Sequence, residues 1–81
     1  MKDILLDIIE VWPQKDKTLL LVFENRQKKV FDMKPYLQKK PYGRLKSESF
    51  FKRARVENGT VAWPDEIDIA PETLWNKSVF L

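Results

Sequence analysis

Residues 53–63 have the sequence RARVENGTVAW, and this stretch decides the fold. Asn58 and Gly59 lie between two alternating runs, which is the strongest short-range signature of a β-hairpin because both turn residues need positive φ. In the first run Ala54 and Val56 share one face, and charged residues occupy the other. We therefore predict a hairpin with a row of basic side chains in solvent.

Two apolar segments, residues 4–12 and 18–23, predict strands ahead of this hairpin, because both are rich in β-branched and large apolar residues. A short polar turn joins them, which indicates an antiparallel pair. The first segment has apolar residues on both of its faces. We therefore expect this strand to lie centrally in its sheet or to be covered on both sides.

A third strand is predicted near residues 28–33, which would complete a three-stranded meander. Lys29, Phe31 and Met33 share one of its faces, and the mixture of charged and apolar residues is typical of a strand with one side in water. In the turn before it, Asn25 is the residue best able to adopt a left-handed conformation, so we expect positive φ there.

Short helices are predicted where proline or serine suits a helix start. Pro35 and Pro71 fit a first helical position, and Ser47 can cap another short turn. The last helix is predicted over residues 71–77. The fold class is therefore α+β, a small antiparallel sheet with a three-stranded meander, a C-terminal Asn-Gly hairpin and short helices. A length of 81 residues accommodates one core, so we expect a single domain over 1–81.

Composition excludes most catalytic chemistry. The sequence contains no histidine and no cysteine, which removes imidazole bases, thiol nucleophiles, disulfides and the usual zinc ligands. Its two glycines do not make a phosphate-binding loop. We expect a non-enzymatic protein without a cofactor. The apolar segment near the amino terminus is too short and too charged for a signal peptide or a membrane span, so a cytoplasmic location without membrane contact is expected.

Charge is distributed unevenly along the chain. Residues 1–25 hold three basic and five acidic side chains, a net −2, and residues 56–81 hold one and five, a net −4. Residues 26–55 hold eleven basic side chains against two acidic ones, a net +9. Such asymmetry indicates either a basic face for an anionic partner or complementarity between neighbouring elements of the fold. Both alternatives remain open at this stage.

Other residue groups have structural explanations. Asp65, Glu66 and Asp68 could form a carboxylate site, but their spacing fits no calcium loop. Asp68 is better explained as an acceptor for backbone N–H groups, and Asp32 is interpreted in the same way. The three tryptophans, at positions 12, 63 and 75, are expected to supply much of the core rather than a stacking site for a ligand.

Several motifs together resemble a known family. They are Leu19-x-Leu21-x-Phe23, Val30-Phe31-Asp32, Leu45 with Phe50, and the long run Asn58-Gly59-Thr60-Val61-Ala62-Trp63-Pro64-x-x-Ile67-Asp68-Ile69-Ala70-Pro71-Glu72-Thr73-Leu74-Trp75. Over nearly the whole chain this pattern is similar to the family of small bacterial domains of unknown function numbered 2442.

The resemblance implies a compact α+β fold of antiparallel strands and short helices. Members of the family are often encoded beside small toxin-like proteins, which implies an antitoxin-like or regulatory role. Two positions depart from the family pattern. Arg26 stands where a glycine is common, and Lys28 stands where an apolar residue is common.

The function expected from the sequence is a small interaction module that docks through its basic middle segment. A protein partner is expected, with a toxin-like neighbour as one candidate. The alternative is nucleic-acid binding through Lys28, Arg44, Lys52, Arg53 and Arg55. A third hypothesis, an enzyme built on the three carboxylates, has no identifiable substrate. The oligomeric state is left open. The candidate binding residues are Lys28, Lys39, Lys40, Arg44, Lys52, Arg53 and Arg55.

Overall fold

The computed structural model describes residues 6–81, which form two antiparallel sheets and four short helical segments. This confirms the α+β class. The first sheet has the strand order β1-β2-β3-β7 and the second has the order β4-β5-β6. The strands are β1 (Ile8–Pro13), β2 (Thr18–Phe23), β3 (Lys28–Asp32), β4 (Arg55–Glu57), β5 (Thr60–Trp63), β6 (Ile67–Ile69) and β7 (Val79–Phe80).

The helical segments are short and lie mainly between the two sheets in sequence. Two 3₁₀ helices, Lys34–Tyr36 and Tyr42–Lys46, precede helix α1 (Glu48–Phe51), and helix α2 (Pro71–Lys77) follows the second sheet. α2 has the bounds predicted from the sequence. Ser47 caps α1 as expected, because its hydroxyl accepts the Phe50 N–H at 3.4 Å.

A single buried cluster joins the two sheets. On the first sheet its members come from one face, which we call the inner face, and the central strand β2 contributes Leu19, Leu21 and Phe23, all fully buried. The second sheet and α1 supply Trp63 and Phe51, whose rings lie 6.0 Å apart between centroids. Alternation along β2 therefore directs every second side chain into the core.

β1 is an edge strand, so the prediction that it lies centrally or is covered on both faces was wrong. It pairs only with β2 within its sheet, and the register shifts between Ile8 and Glu10. This β-bulge at Ile9 moves the following residues onto the opposite faces. The sequence pattern has apolar residues at both odd and even positions because the bulge exchanges the two faces partway along the strand. The part of the predicted strand before residue 6 lies outside the described residues.

The Asn-Gly hairpin is confirmed. Asn58 has φ 53° and Gly59 has φ 78°, and β4 pairs with β5 on either side of them. A Cβ atom on Gly59 would come within 2.6 Å of the Asp7 carboxylate, so the turn also needs glycine for space. The Gly59 carbonyl accepts the Ile8 N–H at 2.9 Å. This hydrogen bond holds the hairpin of the second sheet against β1.

The turn between β2 and β3 differs from the prediction. Positive φ occurs at Arg26, at 72°, and not at Asn25. The Asn25 side chain instead accepts the Gln27 N–H at 3.1 Å, which fixes Asn25 as the residue before the left-handed position. A non-glycine residue therefore occupies a conformation that costs a side chain roughly 1–2 kcal/mol.

Two strands were missed by the sequence reasoning. β6 pairs with β5 and buries Ile67 and Ile69, although the sequence pattern predicted no strand there. The chain passes from β5 to β6 through Asp65 and Glu66, both with positive φ. β7 has only two residues and no distinguishing pattern, and its pairing with β3 depends on tertiary structure.

The tryptophans have three different environments. Trp63 is fully buried as expected, and its indole N–H donates to the Phe51 carbonyl at 2.9 Å. Trp75 is half-buried and packs edge-on against Phe23, with ring centroids 4.9 Å apart. Trp12 is 57% exposed, so its expected place in the core was wrong. The bulge explains this result because it directs position 12 to the outside.

No helix within residues 6–81 combines the length and the apolar character that crossing a membrane requires.

Candidate docking surface around helix α1

The part of the basic segment that follows β3, residues 33–54, forms the connection between the two sheets. Its apolar residues, Leu45, Phe50 and Phe51, are buried in the core, and its charged residues remain exposed. α1 lies at the centre of this connection as a single helical turn. Phe50 and Phe51 of α1 therefore anchor the segment to the core, and the cations before and after α1 lie on the solvent side.

A shallow depression beside α1 brings two arginines together. It is lined by Gly43, Arg44, Ser47, Ser49, Phe50 and Arg53. The Arg44 guanidinium lies 4.3 Å from the centroid of the Phe50 ring and forms an ion pair with Asp65. This geometry holds Arg44 in place and places guanidinium and hydroxyl donors in one depression.

A second depression lies on the other side of the same helical turn. It is lined by Pro13, Gln14, Lys15, Glu48 and Lys52. Residues on different sides of the helical turn line the two depressions. Ser47, Ser49 and Phe50 line the first, and Glu48 lines the second. Lys15, from the β1–β2 turn, and Lys52, which follows α1, therefore border the same small helix.

The β1–β2 turn adds further positive charge to this region. The Lys17 ammonium group donates to the Lys46 carbonyl at 3.1 Å and lies 5.9 Å from the centroid of the Phe51 ring. The Asp16 carboxylate accepts two hydrogen bonds from Thr18, one from its hydroxyl at 2.6 Å and one from its N–H at 3.2 Å. The Thr18 hydrogen bond lowers the pKa of the Asp16 carboxyl group.

We call this region the α1 basic surface and define it by Lys15, Lys17, Arg44, Lys46, Lys52 and Arg53. Sequence reasoning missed three of these lysines, at positions 15, 17 and 46. Lys15 and Lys17 belong to the acidic first third of the chain. In the folded chain the β1–β2 turn places them beside α1 and the second 3₁₀ helix. The signal that could have found them was the predicted turn between the first two strands.

The structure brings together only some of the seven candidate residues. Arg44, Lys52 and Arg53 belong to the α1 basic surface. Arg55 is exposed on β4 and forms an ion pair with Glu57 at 2.9 Å. Lys28 lies on the outer face of the first sheet, opposite the face on which α1 packs. The structure therefore divides the seven candidate residues between the α1 basic surface and other parts of the molecule.

The remaining two candidates, Lys39 and Lys40, are exposed between the two 3₁₀ helices. The Lys39 ammonium group lies 5.5 Å from the centroid of the Tyr36 ring. The Tyr36 ring in turn contacts Phe31 and Tyr42 through aromatic packing. Lys39 therefore borders an aromatic cluster that packs against the core.

The three carboxylates do not assemble into a site. Asp65 pairs with Arg44, and Asp68 is exposed on β6. The Asp68 backbone carbonyl accepts the Tyr42 hydroxyl at 2.9 Å, whereas the expected hydrogen bonds from backbone N–H groups to its carboxylate are not found in residues 6–81. The same expectation is confirmed at Asp32, whose carboxylate accepts the Lys34 N–H at 2.9 Å. Within residues 6–81 no cluster of three acidic side chains could hold a metal ion.

Two titratable groups are perturbed by burial. The Lys29 ammonium group is enclosed on the inner face, donates to the Trp75 carbonyl at 2.6 Å and lies 3.9 and 4.5 Å from the ring centroids of Trp75 and Phe80. Desolvation lowers the pKa of Lys29. Burial also raises the pKa of the Tyr42 hydroxyl, with smaller contributions from Asp68 and Tyr36.

The family assignment agrees with the pattern of strands and motifs. A family model described as "Protein of unknown function (DUF2442)" matches residues 8–80. The chain belongs to this family. Comparison with curated proteins and with solved structures gave no match. The match to the DUF2442 model spans both sheets, both helices and every residue of the α1 basic surface.

Proposed function

We propose that this DUF2442 domain is a non-enzymatic interaction module that binds an acidic partner protein through the α1 basic surface. One observation carries the proposal. Cations from the β1–β2 turn, from the second 3₁₀ helix and from the two residues after α1 border the same helical turn. The ion pairs found within residues 6–81 engage Arg44, Lys34 and Arg55, which leaves most of the surface available to an incoming carboxylate.

A protein partner suits the chemistry of this surface better than a small ligand does. The depressions are shallow and combine cations with the apolar side chains of Pro13 and Phe50. Complementary charge of this kind accelerates encounter and selects a partner, while neighbouring apolar contacts prolong the complex. A toxin-like protein encoded next to this gene is the partner we propose to test first. The absence of cysteine supports a cytoplasmic location as part of the proposal.

The test is co-expression with the product of the adjacent gene, followed by gel filtration. We expect a stable complex with the unmodified chain and its loss, by about tenfold or more in affinity, in Lys52→Glu/Arg53→Glu. Arg26→Glu/Lys77→Glu is the matched control, because it makes the same change in net charge at exposed positions elsewhere. The proposal is wrong if no neighbouring product binds, or if the two double variants bind equally.

A second candidate function, nucleic-acid binding, is favoured by the first depression. Two guanidinium groups and two serine hydroxyls there are the donor types that contact a phosphate. Binding would rest on the backbone charge and would therefore weaken steeply with salt. No residue of the depression offers a clear means of reading a base sequence.

Mobility-shift measurements separate this candidate from the first. We expect a nucleic-acid binder to lose affinity for short DNA and RNA duplexes by about tenfold or more between roughly 50 and 200 mM salt. Arg44→Ala/Arg53→Ala should remove the shift, and Arg26→Ala/Lys77→Ala should retain it. Unchanged mobility of both nucleic acids at low salt eliminates this function and leaves the protein partner.

A further inference from the structure

The outer face of the first sheet carries a continuous apolar row. In antiparallel pairs, directly opposed residues direct their side chains to the same face. The registers place Trp12 opposite Leu20, Leu20 opposite Val30, and Val30 opposite Val79. One row of apolar side chains therefore crosses all four strands. Its two ends are open to solvent, since Trp12 is 57% and Val79 is 65% exposed.

The apolar row lies outside the buried cluster. None of the four row residues belongs to that cluster within residues 6–81, whereas the inner-face neighbours Leu19, Leu21 and Phe31 on β2 and β3 do. The exposed indole is also held in position, because the Trp12 N–H donates to the Glu10 carboxylate at 3.0 Å. An ordered apolar row of this kind on a sheet face indicates a binding surface.

The next row along the same face carries opposite charges at fixed positions. Glu10 on β1 lies opposite Val22 on β2, and Val22 lies opposite Lys28 on β3. The two charges are therefore placed symmetrically, one strand on each side of β2. The strands of a sheet are about 4.8 Å apart, so a two-fold axis along β2 would exchange the two positions.

We propose that the outer face of the first sheet binds a second copy of this chain, as a symmetric dimer whose axis runs along β2. In that arrangement Glu10 of each copy faces Lys28 of the other. Trp12 packs over Val30 of the second copy, and the two Leu20 side chains meet at the axis. Face-to-face packing of two sheets about 10 Å apart gives this geometry. The charge pattern thus makes the surface complementary to itself, as an isologous interface requires.

The proposed dimer is weak and concentration-dependent. With the axis along β2, strands β1, β2 and β3 of each copy face one another. A three-stranded face is at the lower end of the size range of specific interfaces, so we expect a dissociation constant on the order of 10 μM. Sedimentation velocity from about 1 to 300 μM should show the mass rising from 9.7 kDa towards twice that value. An unmodified chain that remains monomeric over this range overturns the proposal.

A pair of charge variants tests the arrangement of the two copies. Glu10→Lys and Lys28→Glu each place like charges opposite one another in a homodimer, so each variant alone should dimerise at least tenfold more weakly. In an equimolar mixture both contacts become complementary, and the mixed dimer should form within about threefold of the original affinity. Attraction between Glu10 and Lys28 within one chain could not produce this rescue.

The possible outcomes are distinguishable. Self-association that is lost in both variants and regained on mixing supports the proposed axis. Variants that dimerise like the unmodified chain, or a mixture that stays monomeric, overturn it. Both substitutions lie at exposed positions, and far-ultraviolet circular dichroism confirms that each variant is folded before it is measured. The result does not depend on a partner at the α1 basic surface, so failure here and failure of the proposed function are separate.

Discussion

The two faces of the first sheet differ in how far their side chains are buried. The inner face is closed by the second sheet and the helices, and it accommodates even the charged Lys29 by giving it a carbonyl and two aromatic rings. The outer face is built from the same strands, yet it leaves the two ends of an apolar row and two opposite charges exposed to solvent. Each strand supplies side chains to both faces, but only the inner face is covered by other elements. Burial in this domain therefore depends on which elements cover a face of the sheet.

The largest expected effect comes from adjacent positions on β3. Phe31 is fully buried on the inner face and Val30 is half-buried on the outer face. We expect Phe31→Ala to lower the free energy of unfolding by about 3–5 kcal/mol through lost burial and a cavity. Val30→Ala should cost about 1 kcal/mol or less. Urea denaturation at low protein concentration measures both, and equal losses would break the distinction between the faces.

A smaller effect is expected at Lys29, whose pKa is lowered by desolvation. Between that lowered pKa and 10.5, the ordinary value, the unfolded chain binds more protons than the folded chain, so stability rises with pH. Lys29→Met keeps the apolar stem and removes the titration. We therefore expect the free energy of unfolding of the unmodified chain to increase relative to that of the variant as pH rises towards 10.5. Parallel denaturation curves measured between neutral pH and pH 10.5 make the comparison, and a constant difference contradicts the proposed cost of burying the charge.

The smallest effect is expected at the β2–β3 turn, which belongs to neither face. Arg26 has φ 72°, a conformation that glycine adopts without strain. Arg26→Gly should raise the free energy of unfolding by about 0.5–1 kcal/mol, and Asn25→Gly, at the residue before it, should not. Thermal denaturation of the two variants provides the measurement. A gain at position 25 instead of 26 would show that the turn has a different conformation.

Local patterns were sufficient to predict much of the fold. The Asn58-Gly59 turn, β2, the cap at Ser47 and the bounds of α2 all depend on residues close in sequence, whose backbone preferences are strong. β6 and β7 could not be predicted in this way, because two or three residues have no readable period and are ordered by pairing with strands already present. The edge position of β1 was also hidden, since the bulge at Ile9 mixes its faces.

The candidate site was predictable only in part for a related reason. The charge of the middle segment is visible in the sequence, and it led to Arg44, Lys52 and Arg53. Tertiary contacts decide which cations share a surface. The β1–β2 turn places Lys15 and Lys17 beside α1, whereas the strand register places Lys28 on the outer face of the first sheet. Sequence reasoning gave the sign of the charge but not its distribution over the faces.

The most direct test of the docking claim is hydrogen exchange of the domain with and without the product of the adjacent gene. Amides protected by a partner report where it sits on the molecule. We expect slower exchange in the second 3₁₀ helix and α1, residues 42–53, and in the β1–β2 turn, with little change in α2. Protection confined to α2 or to the second sheet, or no protection at all, would contradict docking at the α1 basic surface.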